Sequence, residues 1–212
     1  MIPQYKTVQQ ENAAEIVIKR SRFIGHAKPV YTEEEAVQFI QKIKKQHAMA
    51  THNCSAYMIG ERNQIQKQSD DGEPSGTAGK PILEVIRNQK MQNIVIVITR
   101  YFGGILLGAG GLVRAYTDGA VAAIEAARPI YRILHQEIRI DLDYTRLGKV
   151  QNELRNKGTM LGESLFTDKV SLFCYPLAEE AEFFMAWMTD LTQGQSVITA
   201  GDVMYKDHET LP

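Results

Sequence analysis

The chain has 212 residues, of which 44% are hydrophobic and 23% are charged. These values are ordinary for a globular protein, and they exclude a disordered or low-complexity chain. Because the length exceeds that of a typical single domain, we expect two domains.

Charge is distributed unevenly along the chain. Residues 1–130 hold 16 Lys and Arg against 12 Asp and Glu, whereas residues 131–212 hold 8 against 13. The basic excess favours a polyanionic partner for the first part, and the acidic excess favours a protein partner for the second. From the N-terminal residues we expect no secretory signal, and because the two cysteines fall in different predicted domains we expect no disulfide. We therefore predict a cytoplasmic protein that does not contact a membrane.

Two strands and a helix are predicted at the start of the chain. The strands cover residues 15–19 and 23–31. Thr32 and Glu35 have the spacing of a capping box, which predicts the start of a helix. Strands at 54–60 and 65–68 follow, and then a polar loop at 69–80, with Pro81 as the first residue of a second helix.

A glycine-rich stretch follows a predicted buried strand. Residues 94–98 are all β-branched and apolar, and five glycines lie between Gly103 and Gly111. A helix is predicted from near Leu107 to Arg128. Arg100 argues against a membrane span, and Val113 stands where a dinucleotide fingerprint needs its third glycine. The glycines could bind an anion or simply let the helix approach its strand.

The loop at residues 69–80 contains three carboxylates, Asp70, Asp71 and Glu73. Such groups can hold Mg²⁺ through water, and residues 76–80 resemble a phosphate cradle. The Walker pattern fails because Pro74 and Pro81 occupy two of its essential positions. Ordinary turn chemistry also produces acidic, glycine-rich loops, so both interpretations stay open.

His47, His52 and Cys54 are close in sequence and are candidates for zinc ligands or for a Cys–His nucleophile. A structural zinc site needs about four ligands, and no third group is evident to orient a nucleophilic pair. A packed cysteine beside a half-buried histidine is the simpler interpretation.

Basic residues near the N-terminus and at the glycine-rich segments form a candidate phosphate-binding set. If they share one face, they could bind phosphates together with exposed amides, while Tyr101 and Phe102 stack on bases. The alternative is that the charges are scattered and the aromatic rings lie in the core. The set comprises Lys19, Arg20, Arg22, His26, Lys28, Lys80, Arg100 and Arg114.

After Arg128 and Pro129 the pattern reads strand, helix, strand, strand, helix, strand. The strands are predicted at 135–144, 159–166, 169–175 and 196–205, with apolar helical stripes at Leu147, Val150 and Leu154 and again at 184–191. This is a ferredoxin-like order. We predict domains at residues 1–130 and 131–212.

Four motifs in the first half carry a resemblance to a known family. They are Ser21-Arg22-Phe23-Ile24, His52-Asn53-Cys54-Ser55-Ala56-Tyr57, the run from Asp70-Asp71-Gly72-Glu73 to Lys80-Pro81, and Thr99-Arg100-Tyr101-Phe102-Gly103-Gly104. Together they resemble the signature of the IMPACT/YigZ family over about the first 125 residues.

The resemblance implies an α+β protein. Its first domain would be a βα domain similar to the second domain of a small-subunit ribosomal protein. Its second would be a ferredoxin-like βαββαβ domain similar to the C-terminal domain of elongation factor G. Eukaryotic members regulate translation by interfering with a kinase that acts on an initiation factor, and they use an extra N-terminal domain to do so. Because the family motifs begin close to the start of this sequence, we expect no such domain here.

From these observations we predict a non-enzymatic, RNA- or ribosome-associated regulator of translation, without a cofactor. The acidic C-terminal domain would offer a surface for a protein partner. The alternative is a Mg²⁺-dependent enzyme or a binding protein for a phosphorylated metabolite or nucleotide, with Asp70, Asp71 and Glu73 at the metal. The predicted phosphate-binding residues are Arg20, Arg22, Lys80, Arg100, Gly103, Gly104, Gly108, Gly110 and Arg114.

Overall fold

The β-branched run at residues 94–98 lies in the central strand of a five-stranded antiparallel sheet. The computed structural model describes residues 1–211, which divide into two compact units. One consists mainly of residues 5–131 and the other mainly of residues 132–207.

The elements up to residue 126 alternate short strands with three helices. They are β1 (Gln4–Val8), β2 (Asn12–Ile18), β3 (Ser21–Pro29), α1 (Glu33–Gln46), β4 (His52–Ile59), β5 (Ile65–Ser69), α2 (Gly79–Asn88), β6 (Ile94–Tyr101) and α3 (Gly108–Ala126). Strand β1 was not predicted, because its five residues carry no clear alternation of apolar and polar side chains.

The sheet of the first unit has the strand order β2-β3-β6-β4-β5, and helices cover both of its faces. Ile94, Ile96 and Ile98 pack on one side with apolar residues of α2 and α3. Val95 and Val97 pack on the other with α1. Burial on both faces explains why the sequence of β6 is continuously apolar instead of alternating.

The helix boundaries follow local chemistry. Thr32 is the N-cap of α1, and its side chain accepts a hydrogen bond from the Glu35 amide at 3.2 Å, which confirms the predicted cap. Helix α2 begins at Gly79, two residues before the predicted start at Pro81. Proline is tolerated there because the first four amides of a helix have no intrahelical acceptor.

The second unit contains β7 (Pro129–Leu142), α4 (Tyr144–Asn156), β8 (Met160–Leu161), β9 (Leu165–Phe166), β10 (Val170–Tyr175), α5 (Ala181–Leu191) and β11 (Val197–His208). Strands β11, β7, β10 and β8 are neighbours in that order. This is the ferredoxin-like arrangement, with α4 and α5 contributing to one apolar core.

The prediction of one strand at 159–166 is wrong in one respect, because this segment forms two short strands, β8 and β9. Both pair with β10, and Gly162 between them donates its amide hydrogen to the Phe173 carbonyl at 2.8 Å. A Cβ atom at Gly162 would lie 2.9 Å from the Tyr175 ring, so any other residue here would force that ring to shift.

No helix among residues 1–211 is long and apolar enough to cross a membrane. Cys54 and Cys174 are buried free thiols.

Candidate nucleic-acid interface

The glycine loop, residues 102–110, connects β6 to the first turn of α3. Gly104 and Gly108 have positive φ angles of 81° and 72°, which disfavour other residues. A Cβ atom built on Gly104, Gly108 or Gly110 would meet no atom within 4 Å beyond its chain neighbours and the backbone of its own helix. These glycines therefore do not serve close packing, and the backbone around them is open to a ligand.

Gly103 has a different role, because it fixes the loop against the turn between β2 and β3. A Cβ atom at this position would lie 2.0 Å from the carbonyl carbon of Arg20. The Gly103 amide also donates a hydrogen bond to Ser21 Oγ at 3.1 Å. This contact holds the exposed Arg20 beside the glycine loop, as the candidate site requires.

The N-terminus of α3 opens out of the glycine loop without a side-chain cap. Its N-cap residue is Leu107, and its first turn contains no acidic residue. The first amides of a helix lack intrahelical acceptors and carry a partial positive charge. Since Gly108, Ala109 and Gly110 are exposed, this end of α3 can receive an anion.

Large apolar side chains are exposed along the same segment. Leu106 is 82% exposed and Phe102 is 46% exposed, with Ile105 and Val113 nearby in sequence. The sequence pattern indicates Phe102 but not the aliphatic residues, whose only signal is an apolar run between glycines. Exposed apolar groups in one segment are typical of a binding surface.

Arg22 and Tyr101 are cross-strand neighbours on β3 and β6. The Arg22 guanidinium lies 5.3 Å from the centre of the Tyr101 ring and pairs with Glu15 at 2.8 Å. Tyr101 is half-buried, and its hydroxyl lies 3.0 Å from His47 Nδ1. Arg22 is exposed next to the glycine loop, with its guanidinium engaged by a carboxylate.

Arg100 differs from the other basic candidates because it is only 5% exposed. Its Nη1 donates a 2.6 Å hydrogen bond to Glu73, and the Tyr116 hydroxyl donates to the same carboxylate oxygen at 2.7 Å. The guanidinium also lies 5.5 Å from the centres of both the Phe23 and Phe102 rings. Arg100 thus ties the glycine loop to Glu73 inside the domain instead of presenting its charge to solvent.

Tyr116 was not identified from the sequence as a polar-site residue. Its position in an apolar helix predicts a core side chain, and it is indeed buried. Only the fold reveals that its hydroxyl meets Glu73, 43 residues away in the sequence.

The acidic loop, residues 70–78, uses its first carboxylate to organise itself. Asp70 accepts hydrogen bonds from the amides of Gly76, Ala78 and Gly79 at 2.8–3.1 Å. The segment that resembled a phosphate cradle is therefore filled by the protein's own carboxylate at the start of α2.

The other two carboxylates of the acidic loop point to separate partners. Asp71 accepts hydrogen bonds from the Asn53 amide at 2.7 Å and from Lys44 at 2.5 Å, whereas Glu73 binds Arg100. Within residues 1–211, no group of three or more His, Cys, Asp or Glu side chains is placed to hold a metal ion.

Cys54 and His52 lie on the same face of β4, as strand alternation predicts, and contact the acidic loop. The Cys54 Sγ is 2.9 Å from the Asp70 carbonyl oxygen and 3.4 Å from the Tyr116 hydroxyl. Burial raises the pKa of Cys54 to about 12, which keeps the thiol protonated and a poor nucleophile. His52 Nδ1 donates to the Asp71 carbonyl at 2.8 Å.

Besides Arg22, the exposed basic residues among the predicted phosphate-binding residues are Arg20, Lys80 and Arg114. Among residues 1–211, none of the three forms an ion pair with a carboxylate. Arg20 lies at the glycine loop, Arg114 lies in the second turn of α3, and Lys80 lies in the first turn of α2.

Two family models match the chain. The model of the Impact N-terminal domain matches residues 19–124, which include the glycine loop and the acidic loop. A domain of unknown function, DUF1949, matches residues 140–195.

The relatives include bacterial proteins that match over most of their length. IMPACT family member YvyE of Bacillus subtilis is 49% identical, over 97% of this chain and 94% of its own. IMPACT family member YigZ of Escherichia coli is 33% identical, over 86% and 91% respectively. Protein IMPACT of Oryctolagus cuniculus is 33% identical, over 46% of this chain and 32% of its own.

A solved structure also matches nearly the whole chain. It is the crystal structure of a hypothetical protein with 29% sequence identity and a TM-score of 0.60. The match covers 95% of this chain and 99% of that one.

Proposed function

Because the chain belongs to the IMPACT family, we propose that it is a non-enzymatic protein of the cytoplasm that binds RNA or the ribosome and thereby regulates translation. The binding surface is the glycine loop with the first turns of α3 and the neighbouring turn at Arg20.

The single observation that supports this function most strongly is the open N-terminus of α3. Its first three residues are exposed, the N-cap side chain does not cap it, and no carboxylate lies in its first turn. By contrast, the start of α2 is occupied by Asp70. Of these two helix starts, the one at the glycine loop is therefore available to a phosphate group.

The side chains around this helix start match the chemistry of unpaired nucleotides. Arg20 and Arg114 supply guanidinium groups for phosphate oxygens, and the exposed Phe102 supplies a ring on which a base can stack. Single-stranded RNA offers both groups together, which a regular duplex does not.

Arg100 and the acidic loop support the surface from inside. The buried pair of Arg100 with Glu73 fixes the end of β6, from which the glycine loop departs. Glu73 in turn receives the Tyr116 hydroxyl, so the same carboxylate orients α3. Reversing the charge of Arg100 would bring two carboxylates together in the interior, so Arg20 and Arg114 are the informative residues to change.

The test is whether RNA remains bound to the full chain after purification at low salt. The bound RNA is measured by the absorbance ratio of the purified protein and by extraction of its nucleic acid. The parent should retain RNA, and the double variant Arg20→Glu with Arg114→Glu should lose most of it. A matched control is Arg62→Glu with Lys90→Glu, which makes the same charge change beyond the other end of β6. Equal retention by the two double variants, or clean parent protein, would refute the proposed surface.

A further inference from the structure

The tip of the glycine loop carries two adjacent aliphatic side chains that the proposed phosphate contacts do not use. Ile105 is 40% exposed and Leu106 is 82% exposed. With the exposed Phe102 they form a small apolar surface at the start of α3. Exposed apolar groups that are contiguous in this way are typical of a contact with a ligand.

Both ends of this tip are anchored to the domain. At its start, the Phe102 amide donates a hydrogen bond to Thr51 Oγ1 at 3.1 Å. At its end, Leu107 packs against the core of the first unit. Because both ends are fixed, Leu106 is held outside the core in a defined place, and little conformational entropy is lost when a ligand covers it.

The charges around the tip favour a polyanion. Residues 99–117 contain no Asp or Glu. The exposed Arg20 lies against the start of the loop, and the exposed Arg114 lies in the second turn of α3. An apolar tip between exposed cations fits a ligand that presents flat apolar surfaces beside negative charges, as nucleic acids do with their bases and phosphates.

A lipid surface fits the same tip less well. Membrane binding by apolar groups scales with the length that enters the bilayer, and even a single myristoyl chain alone gives only marginal binding. The side chains of Ile105 and Leu106 are each much shorter than that chain. An RNA base, by contrast, can be covered by one aliphatic side chain.

The end of a base-paired stem is the part of an RNA that the tip fits best. Within a stem, an inserted side chain must separate two stacked base pairs, which costs free energy. At the stem end, one face of the last pair is not covered by another pair, so contact with Leu106 requires no such separation. Unpaired nucleotides that leave the stem there can bring a base to Phe102 and phosphates to the start of α3.

We propose that the glycine loop recognises the junction between a base-paired RNA stem and unpaired nucleotides, with Ile105 and Leu106 against the last base pair. Leu106 sets the preference for this RNA structure, whereas Arg20 and Arg114 bind phosphates of any RNA. This inference rests on the proposed function and adds to it the class of RNA that the surface selects.

The probe is a hairpin RNA with an unpaired 5′ extension and the fluorescent base 2-aminopurine in the pair next to the junction. Its affinity for the full chain is compared with those of an unpaired RNA and a fully paired hairpin of equal length, so that the number of phosphates is the same. The junction RNA should bind at least about tenfold more tightly than either. Its fluorescence should change on binding, because Leu106 alters the stacking of the labelled base.

Leu106→Ser should abolish both this preference and the fluorescence change, while the affinity for the unpaired RNA stays within about twofold of the parent's. Leu106→Met keeps an apolar side chain and should retain the preference. The matched control is Val197→Ser in the second unit, where the aliphatic side chain is 61% exposed, and it should behave as the parent does.

Equal affinity of the parent for the three RNAs, or a preference that Leu106→Ser leaves unchanged, would overturn this inference while RNA binding itself stood. An equal loss of affinity for all three RNAs in Leu106→Ser would also overturn it, because Leu106 would then be a general contact. No binding of any RNA by the parent would refute the proposed function. Binding to vesicles of phosphatidylcholine and phosphatidylserine that Leu106→Ser abolishes would overturn the choice of RNA as the occupant of the tip.

Discussion

At the residue scale, the carboxylates of the acidic loop satisfy donors of the protein itself. Asp70 organises the start of α2, and Glu73 neutralises a buried arginine. A sequence shows which residues are charged but not which donors the fold brings to them. The metal and phosphate hypotheses for this loop were reasonable from composition, and the hydrogen bonds give the same residues a structural role.

Asp70→Asn should lower the free energy of unfolding by about 1–2 kcal/mol at neutral pH, since a charged acceptor binds amides more strongly than a neutral one. Burial alone would raise the pKa of Asp70, but hydrogen bonds from the amides of Gly76, Gly79 and Ala78 outweigh it and lower that pKa. A lowered folded-state pKa gives stability that is present above the unfolded value, about 3.9, and is lost below it.

Urea denaturation of parent and variant across pH 3 to 7 measures this difference. The deficit of Asp70→Asn should shrink as the pH falls below about 4. Asp118→Asn, at an exposed position of α3, is the control and should stay close to the parent. A deficit that does not vary with pH would contradict the assignment.

Glu73→Ala should cost about 3–5 kcal/mol of unfolding free energy, because it strands the buried Arg100 charge. Adding Arg100→Met should restore part of the loss, since the orphaned charge is then absent. A double-mutant cycle by urea denaturation measures the coupling. Losses that simply add would show that Glu73 and Arg100 are not energetically linked.

At the scale of elements, the sequence predicted most helices and strands because their periodicity is strong. Helix α1 had a cap and an apolar stripe, and β6 had a β-branched run. The errors fall where periodicity is short or interrupted, at β1 and at Gly162 between β8 and β9. The roles of the glycines could not be separated by spacing, because packing glycines and open glycines look alike in a sequence.

Gly103→Ala and Gly110→Ala should act in opposite directions on stability. The first places a methyl group against the backbone of Arg20, so it should cost at least about 1–3 kcal/mol. The second adds alanine to an open helical position, so it should stabilise α3 by about 0.5–1 kcal/mol. Thermal unfolding of the two variants tests this pair, and equal effects would contradict the assigned packing.

The packing of α1 on the sheet should make stability depend on pH through His26. Burial, together with a smaller effect of nearby His47, lowers the pKa of His26 to about 4. The pKa of histidine in the unfolded state is about 6.5, so above that pH the fold has the full stability contribution of a neutral His26. This contribution, roughly 2–3 kcal/mol, is lost as the pH falls from 6.5 toward 4.

His26→Gln should flatten the pH profile of the unfolding free energy in that window. Lys28→Gln, two residues along the same strand, should retain the parent's slope. A His26→Gln profile with the parent's slope would assign the acid sensitivity to other groups.

At the scale of the whole molecule, charge separates the two halves of the chain. Residues 1–130 have the basic excess and residues 131–212 the acidic one. The proposed RNA contact lies in the basic half, and it uses exposed charges at a helix start rather than a broad basic surface. The sequence predicted the glycine loop, Arg20 and Arg114 as parts of this site. It could not predict that Arg100 turns inward, because only the fold brings Glu73 to it.

The most direct test of the RNA-binding proposal is the salt dependence of affinity for a fluorescein-labelled single-stranded RNA, measured by anisotropy with the full chain. The parent's log affinity should fall steeply against log salt. Arg20→Glu with Arg114→Glu should reduce that slope by about 1.4, the loss expected for two single-strand phosphate contacts. No binding by the parent at low salt, or equal slopes for parent and variant, would contradict the proposal that this surface binds RNA phosphates.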